Sequence, residues 1–363
     1  MKADLKIKSV AVRAVAAPMR RPLTTSTGAV SVAPLLLVDL KTDGGIVGRS
    51  YLFSISRNNL RPLAALVEAM GELVQGDAVA PFEIEKKLRA RHTLLGVHNV
   101  VLFAMAAIDM CAWDALGQAL GQPVVLLLGG EPRPVKAYNS TGLGILKVRD
   151  LTKEAEQLVA EGFSAVKLRL GRPEAKDDIE ALRAVKKAIG PRVTLMVDFN
   201  QALSIAEAVR RGRMIDEEGG VLWIEEPVRA DDYAGCAKVA REVATPIQIG
   251  ENFMGPEQMA QAIAAGCCDY VMPDAQRIGG VTGWMRAAAL AQGAGLEMSS
   301  HLFPEASCQL LATTPTCHWL EYVDWADPIL DEPVQIKAGK AIGATGPGLG
   351  MKWDEKAVRK YAA

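Results

Sequence analysis

The stretch Ala165–Gly171, "AVKLRLG", decides how this chain is read. A short apolar run closed by glycine fits a buried strand. Strand side chains alternate with period two, so Lys167 and Arg169 point to one face. Two questions follow. What do two adjacent cations face inside a buried strand, and why is the second one an arginine?

From about residue 133 onward, short apolar runs alternate with helical stretches. The runs are "VKAYNS", "AVKLRL", "VTLMVDFN", "VLWIEEP", "PIQIGEN", "YVMPDA", "LEMSSH" and "HWLEYV", in steps of roughly 20–30 residues. Between them lie helical patterns such as "TKEAEQLVAEG" and "GPEQMAQAIAAG", several closed by Gly. Eight such units predict an α/β protein with a modified (β/α)₈ TIM barrel. A doubly wound open sheet is the competing arrangement, but no GxGxxG follows the first strand. The chain before this region reads differently. Strand-like "SVAVRAVAAP" and "PLLLVDLKTDGGIVGRSYLF", with a turn at Asp43-Gly44-Gly45, precede two helical stretches, an α+β pattern. The Gly-rich tail reads as a strap returning to this region. The expected division is an N-terminal α+β domain at 1–130, a barrel domain at 131–330 and a returning segment at 331–363.

Composition narrows the partners. The 363 residues carry a net charge of −1 with acids and bases interspersed, which predicts neither a nucleic-acid nor a membrane partner. The start, "MKADLKIKSVAVRAV", reads as a strand and not as a signal peptide. The longest apolar run, "VVLFAMAAI", is too short to span a bilayer. The six cysteines show no CxxC and no framework spacing, so a reduced cytoplasmic protein is expected.

Barrel chemistry belongs at the C-terminal ends of strands. There the sequence places Asp198 and Asn200, Glu225, Glu251, Asp274, His301 and Glu321. Three acids from three consecutive strands cannot all stay ionised without positive charge among them. Asp198, Glu225 and Glu251, an oxygen-only set, suit a hard ion, best Mg²⁺. Any one of them alone would more often be a solvated loop residue. Asp274 and His301 lie on adjacent strands. A carboxylate on one imidazole nitrogen fixes the tautomer and leaves the other as a base. A hydrogen-bonded core histidine is the plainer alternative.

The quoted motifs, with "AAIDMCAWDALG", "MPDAQRIGGVTGW", "MSSHLFPEAS" and "TPTCHWLE", resemble the enolase superfamily in its mandelate racemase subgroup nearly end to end. The resemblance implies a capping role for the N-terminal domain, with the "PLTTSTGAVS" loop closing over the barrel mouth. It implies Mg²⁺ on Asp198, Glu225 and Glu251, and a His301–Asp274 dyad as base on one face of the substrate. Glu321 then matches an acid that hydrogen-bonds the substrate carboxylate. Asn200 and Ser140 match polar substrate contacts, and Lys167 the first lysine of a Lys-x-Lys pair. The partner implied is a small-molecule carboxylate, and the assembly a homo-oligomer between dimer and octamer.

Arg169 departs from this pattern, since mandelate racemases carry there a lysine that serves as the opposite-face base. Arginine is a poor base and a good bidentate donor for carboxylates. Two readings stay open, and whole-chain resemblance puts the first ahead while the chemistry of Arg169 pulls toward the second. One is a racemase or epimerase of a 2-hydroxy acid. The other is an acid-sugar dehydratase with His301 as sole base. A non-catalytic binding barrel is a third, weaker one. Leu23, Val30, Phe53 and Ile55 fall where the family's lid sits and suggest an apolar substrate side chain. Thr24, Thr25, Ser26 and Thr27 offer polar partners there.

Overall fold

The computed structural model describes residues 5–26 and 28–363; Thr27 lies outside the described residues. Three antiparallel strands, β1 (Ile7–Thr25), β2 (Gly28–Thr42) and β3 (Val47–Phe53), form one sheet. The Asp43–Gly45 turn joins β2 to β3. The "PLTTSTGAVS" stretch proves to be the tip of a long hairpin, paired out to Thr25↔Gly28 with an irregularity between Pro18 and Leu23. This carries Leu23 and Val30, register partners, away from the sheet body and over the barrel.

Helices α1 (Leu60–Val74), α2 (Pro81–His92), α3 (Val100–Leu120) and the short α4 (Val124–Leu127) follow. Helix α3 is long and apolar enough to cross a membrane by length and composition, which the shorter run "VVLFAMAAI" understates. However, 83% of its most apolar window is buried within this fold, so it is a core helix packed against β3.

Strands β4 (Val135–Asn139), β5 (Ala165–Arg169), β6 (Thr194–Asp198), β7 (Val221–Glu225), β8 (Ile247–Ile249), β9 (Tyr270–Val271) and β10 (Glu297–Met298) run parallel in that order. β11 (Leu320–Tyr322) pairs with β4, and the Met298↔Cys317 bridge joins its approach to β10, closing a barrel. Helices α5 (Val148–Ala160), α6 (Ala175–Ile189), α7 (Ile205–Glu218), α8 (Tyr233–Glu242), α9 (Pro256–Ala265), α10 (Gly280–Ala294) and α11 (Pro304–Thr313) each follow one strand. They form for local reasons. In α5, Leu151, Ala155 and Leu158 share the buried face. In α7, the Ser204 hydroxyl accepts from the Glu207 N–H and caps the first turn.

The modification lies after β11, where a 3₁₀ turn takes the place of an eighth helix. The hairpin β12 (Gln335–Lys337) and β13 (Lys340–Ile342) then pairs antiparallel with β4. Trp325, just after β11, already packs on Phe53 of the N-terminal sheet; beyond β13 the chain returns to that sheet, where Trp353 Nε1 donates to Asp39 Oδ1 at 2.8 Å and Val15 bridges Ala362 near α12 (Glu355–Lys360). The sequence expectation has only this last part of the path. All six cysteines are free, Cys267 buried and Cys268 partly so.

The two halves meet where α3 packs on α10. Gly280 has φ +73°, and a Cβ there would lie 2.3 Å from Asp109 Oδ2, so glycine is required on both counts. The Asp109 carboxylate accepts from Thr282 N at 3.0 Å and from its hydroxyl at 2.5 Å. Burial raises the Asp109 carboxyl to about 7, although the Thr282 bonds oppose it. Folding therefore takes up a proton between the ordinary aspartate value and 7. The stability this confers is present at low pH and lost as pH rises through about 7. Asp109→Asn is expected to flatten the pH dependence by up to about 1.4 kcal/mol per pH unit between pH 4.5 and 7. Urea unfolding across that range checks it. A wild-type-minus-variant difference constant with pH would refute it.

Candidate active site

Strand β5 raises its cations into the barrel mouth. Lys167 is 1% exposed and Arg169 4% exposed, on the same face. Around Lys167 the neighbouring strand ends bring Asp198, the last residue of β6, Glu225, the last of β7, and Glu251, two residues beyond β8. One carboxylate oxygen from each of these three acids lies within 4.8 Å of the others. Lys167 Nζ stands among the acids, 2.5 Å from Glu225 Oε1, 2.8 Å from Glu321 Oε1 and 3.1 Å from Asp198 Oδ2. Burial would lower the lysine, but Asp198, Glu225 and Glu321 hold it well above its ordinary value. Burial pushes the Glu225 carboxyl well up, though Lys167 opposes that. Burial would also raise Glu321, yet Lys167 and His301 hold it well below the usual range. The first opening question is thus answered in the folded chain: the lysine faces a nest of carboxylates.

The donor set fits a divalent cation. Asp198, Glu225 and Glu251 each turn one carboxylate oxygen to a common point, and Asp198 and Glu225 are fully buried. Burial pushes Glu226 up to about 8, with Glu251 adding to it. All-oxygen ligation from carboxylates suits Mg²⁺.

His301 follows β10. Its Nδ1 lies 2.7 Å from Asp274 Oδ2, and the two residues form an isolated parallel bridge. Its Nε2 faces the acids, 3.3 Å from Glu251 Oε2 and 3.7 Å from Glu321 Oε2. Glu321 Oε2 also accepts from the Leu302 N–H at 2.9 Å. Leu302 and Phe303 both have positive φ, which turns this loop tightly toward the mouth.

Lys167, Arg169, Asp198, Glu251, His301 and Glu321 line a cavity of about 440 Å³. Its apolar wall includes all four residues expected from the lid, Leu23, Val30, Phe53 and Ile55, joined by Leu302 and Trp325. Phe53 and Trp325 stack at 4.9 Å between centroids. Ile55 sits at the rim, 55% exposed with φ +60°, in a γ-turn closed by Ser56 N donating to Ser54 O at 2.6 Å. The polar side includes Thr25, Asn200, Gln201 and Asn252. Asn200 steers Asp198 as well, its N and Nδ2 donating to the two carboxylate oxygens at 2.7 and 3.0 Å.

Ser140 stands behind Arg169. It is fully buried, does not line the cavity, and its hydroxyl accepts from Arg169 Nη2 at 3.0 Å. Arg169 Nη2 also donates to Ser140 O at 3.2 Å and Nη1 to Gly142 O at 3.1 Å. The guanidinium is therefore braced on the loop after β4, and Ser140 reaches the cavity only through it.

Two contributors escape the sequence reading. Arg277 Nη1 donates to Glu251 O at 2.9 Å and to Asn252 Oδ1, while its backbone N donates to Asp274 Oδ1 at 2.9 Å, tying the Glu251 strand end to the Asp274 loop. Trp223 Nε1 donates to Glu225 Oε2 at 3.1 Å from two residues earlier on β7. Period two in "WIEEP" places these two on one face, a signal present in the sequence.

Known proteins share this arrangement of domains. Residues 7–129 match the mandelate racemase / muconate lactonizing enzyme N-terminal domain family, and residues 150–357 the enolase C-terminal domain-like family. The fold superposes on a Bradyrhizobium enolase crystallised with magnesium and mandelic acid, with TM-score 0.96, 42% identity and 100% of both chains covered. It also superposes on an enolase from alpha proteobacterium bal199 with bound magnesium, with TM-score 0.97, 43% identity and 99% of this chain and 100% of that one covered. L-talarate/galactarate dehydratase of Salmonella typhimurium is 30% identical over 327 residues, 90% of this chain and 82% of its own. The chain is therefore an enzyme of the enolase superfamily, in its mandelate racemase/muconate lactonizing enzyme branch.

Proposed function

We propose that the enzyme uses Mg²⁺ at Asp198, Glu225 and Glu251 and removes the α-proton of a 2-hydroxy carboxylate with His301 as its one base. Bound there, Mg²⁺ supplies positive charge where the substrate carboxylate becomes more negative as the α C–H bond breaks. The rest falls to the chain's own groups. Asp274 holds Nδ1–H and fixes the tautomer, so Nε2 takes the proton. Lys167 faces the developing charge. A substrate carboxylate beside Glu321 adds like charge, which raises the glutamate's hold on a proton and lets it donate.

The observation that carries the one-base reading is the bracing of Arg169. Both terminal nitrogens donate to fixed oxygens of the β4 loop, and an arginine does not surrender its proton readily. With a single base, the His301 imidazolium returns its proton to a β-hydroxyl. That C–O bond breaks, water leaves, and the resulting enol takes a proton at C3 as its hydroxyl loses one, giving a 2-keto-3-deoxy acid. Similarity to the Salmonella dehydratase supports this outcome. Racemisation is the second reading, favoured by the apolar wall and by the mandelic acid in the Bradyrhizobium enolase, since mandelic acid has no β-hydroxyl to lose.

Incubation with Mg²⁺ in D₂O, followed by NMR, separates them. The one-base reading expects α-deuterium in one enantiomer only, and keto-deoxy product from 2,3-dihydroxy acids. Both enantiomers of mandelate interconverting would establish the racemase instead. No exchange in any 2-hydroxy acid would overturn both. Arg169→Lys is expected to add slow exchange of the opposite enantiomer, because lysine can give up a proton.

A further inference from the structure

We infer that Gln276 is a positioning residue that ties the apolar substrate wall of the N-terminal sheet to the loop bearing the catalytic dyad; this rests on the reading that the cavity takes a 2-hydroxy carboxylate. β3 is the edge strand of its sheet, and its last residue, Phe53, pairs with Leu35 on one side only. On the open side, Phe53 N donates to Gln276 Oε1 at 2.9 Å, and Gln276 Nε2 donates to Phe53 O at 3.3 Å. A side-chain amide thus stands where the next strand's backbone would be. It is the only uncharged side chain that offers both a carbonyl acceptor and an N–H donor in this way. Gln276 is 3% exposed, so neither bond is replaced easily by water.

The sequence position gives the tie its meaning. Asp274, which orients His301, lies two residues before Gln276. Arg277, which holds Glu251, follows directly. The loop is closed on itself by Ile278 N donating to Asp274 O at 2.8 Å. Two residues earlier on β3, the Tyr51 hydroxyl donates to Glu305 Oε2 at 2.7 Å, just beyond the His301 loop. One edge strand therefore grips both loops of the dyad, and the Gln276 grip sits on the residue whose ring lines the cavity. Its loss leaves the chemical groups in place and frees the wall.

Gln276→Met keeps the side-chain length and removes both bonds. Gln276→Glu keeps the acceptor and removes the donor. In Mg²⁺-loaded protein, both are expected to weaken mandelate binding about tenfold by calorimetry and glycolate binding less than about twofold, because glycolate has no side chain to reach Phe53. The kcat for α-exchange should stay within about threefold while KM rises. Amide hydrogen exchange over residues 51–56 should accelerate at least tenfold, with residues 35–40 unchanged. Equal weakening of mandelate and glycolate, or unchanged protection at Phe53, would overturn the inference. If wild-type protein binds no 2-hydroxy acid, these two included, the functional reading fails, and protection at Phe53 still decides whether Gln276 is the tie.

Discussion

His301→Asn is expected to lower α-hydrogen exchange by about 10³-fold or more, the upper part of the range for a positioned general base. Asparagine keeps a donor toward Asp274 but offers nothing that takes a proton from carbon. Fold and metal binding should survive, because His301 carries no backbone role that asparagine cannot fill. Exchange within tenfold of wild type would remove His301 from the mechanism. The pH behaviour gives an independent readout. Burial pushes the His301 ring down, but Glu321, Glu251 and the Asp274 hydrogen bond override it and carry it up to about 9 in the metal-free protein. The working base is the neutral ring, so abstraction rises with pH through the ring's titration in the Mg²⁺-loaded enzyme. A dication on Glu251 cancels part of the field, so ¹⁵N NMR should place the ring's titration lower once Mg²⁺ is added. A midpoint that Mg²⁺ leaves unmoved would contradict the placement of Glu251 in the metal set.

Glu225→Gln should be as damaging by a different route. Glu225 meets Lys167 and Trp223 on its two oxygens, at 2.5 and 3.1 Å. Glutamine preserves the shape and loses the charge. Lys167 keeps Asp198 and Glu321, so the buried ammonium remains paired and the chain folds. What is lost is one of three anionic ligands, with an expected fall in Mg²⁺ affinity of at least about 100-fold and loss of exchange. Wild-type protein at 100 times its Kd for Mg²⁺ gains about 2.7 kcal/mol of stability. The variant should show almost none of that gain in thermal unfolding at the same concentration. A full Mg²⁺-dependent gain in the variant would show that the ion binds elsewhere.

Much of this was legible in the chain itself. The barrel strands announce themselves because most are short, largely buried apolar runs, and the residues at or just past their ends are chemically conspicuous. Asp198, Glu225, Glu251, Asp274, His301 and Glu321 all come from such ends. What was hidden depends on side chains reaching across elements distant in sequence. Ser140 reads as a substrate contact by position, yet the longer Arg169 side chain lies between it and the cavity. The β12–β13 hairpin on β4 was hidden because three-residue strands give no periodic pattern. Gln276 and Arg277 sit inside a quoted motif, but nothing in a linear pattern shows that one amide reaches an edge strand more than two hundred residues away. The membrane-length α3 shows the converse: composition alone matches a spanning helix, and only its packing under β3 explains its apolarity.

The account stands on residues from three strands meeting around one divalent ion beside His301. Anomalous diffraction from crystals soaked in Mn²⁺, a cation that takes the same oxygen ligation as Mg²⁺, tests this most directly. The expected result is a single strong peak bound by Asp198, Glu225 and Glu251. A peak on other residues, or none among those three carboxylates, would contradict it.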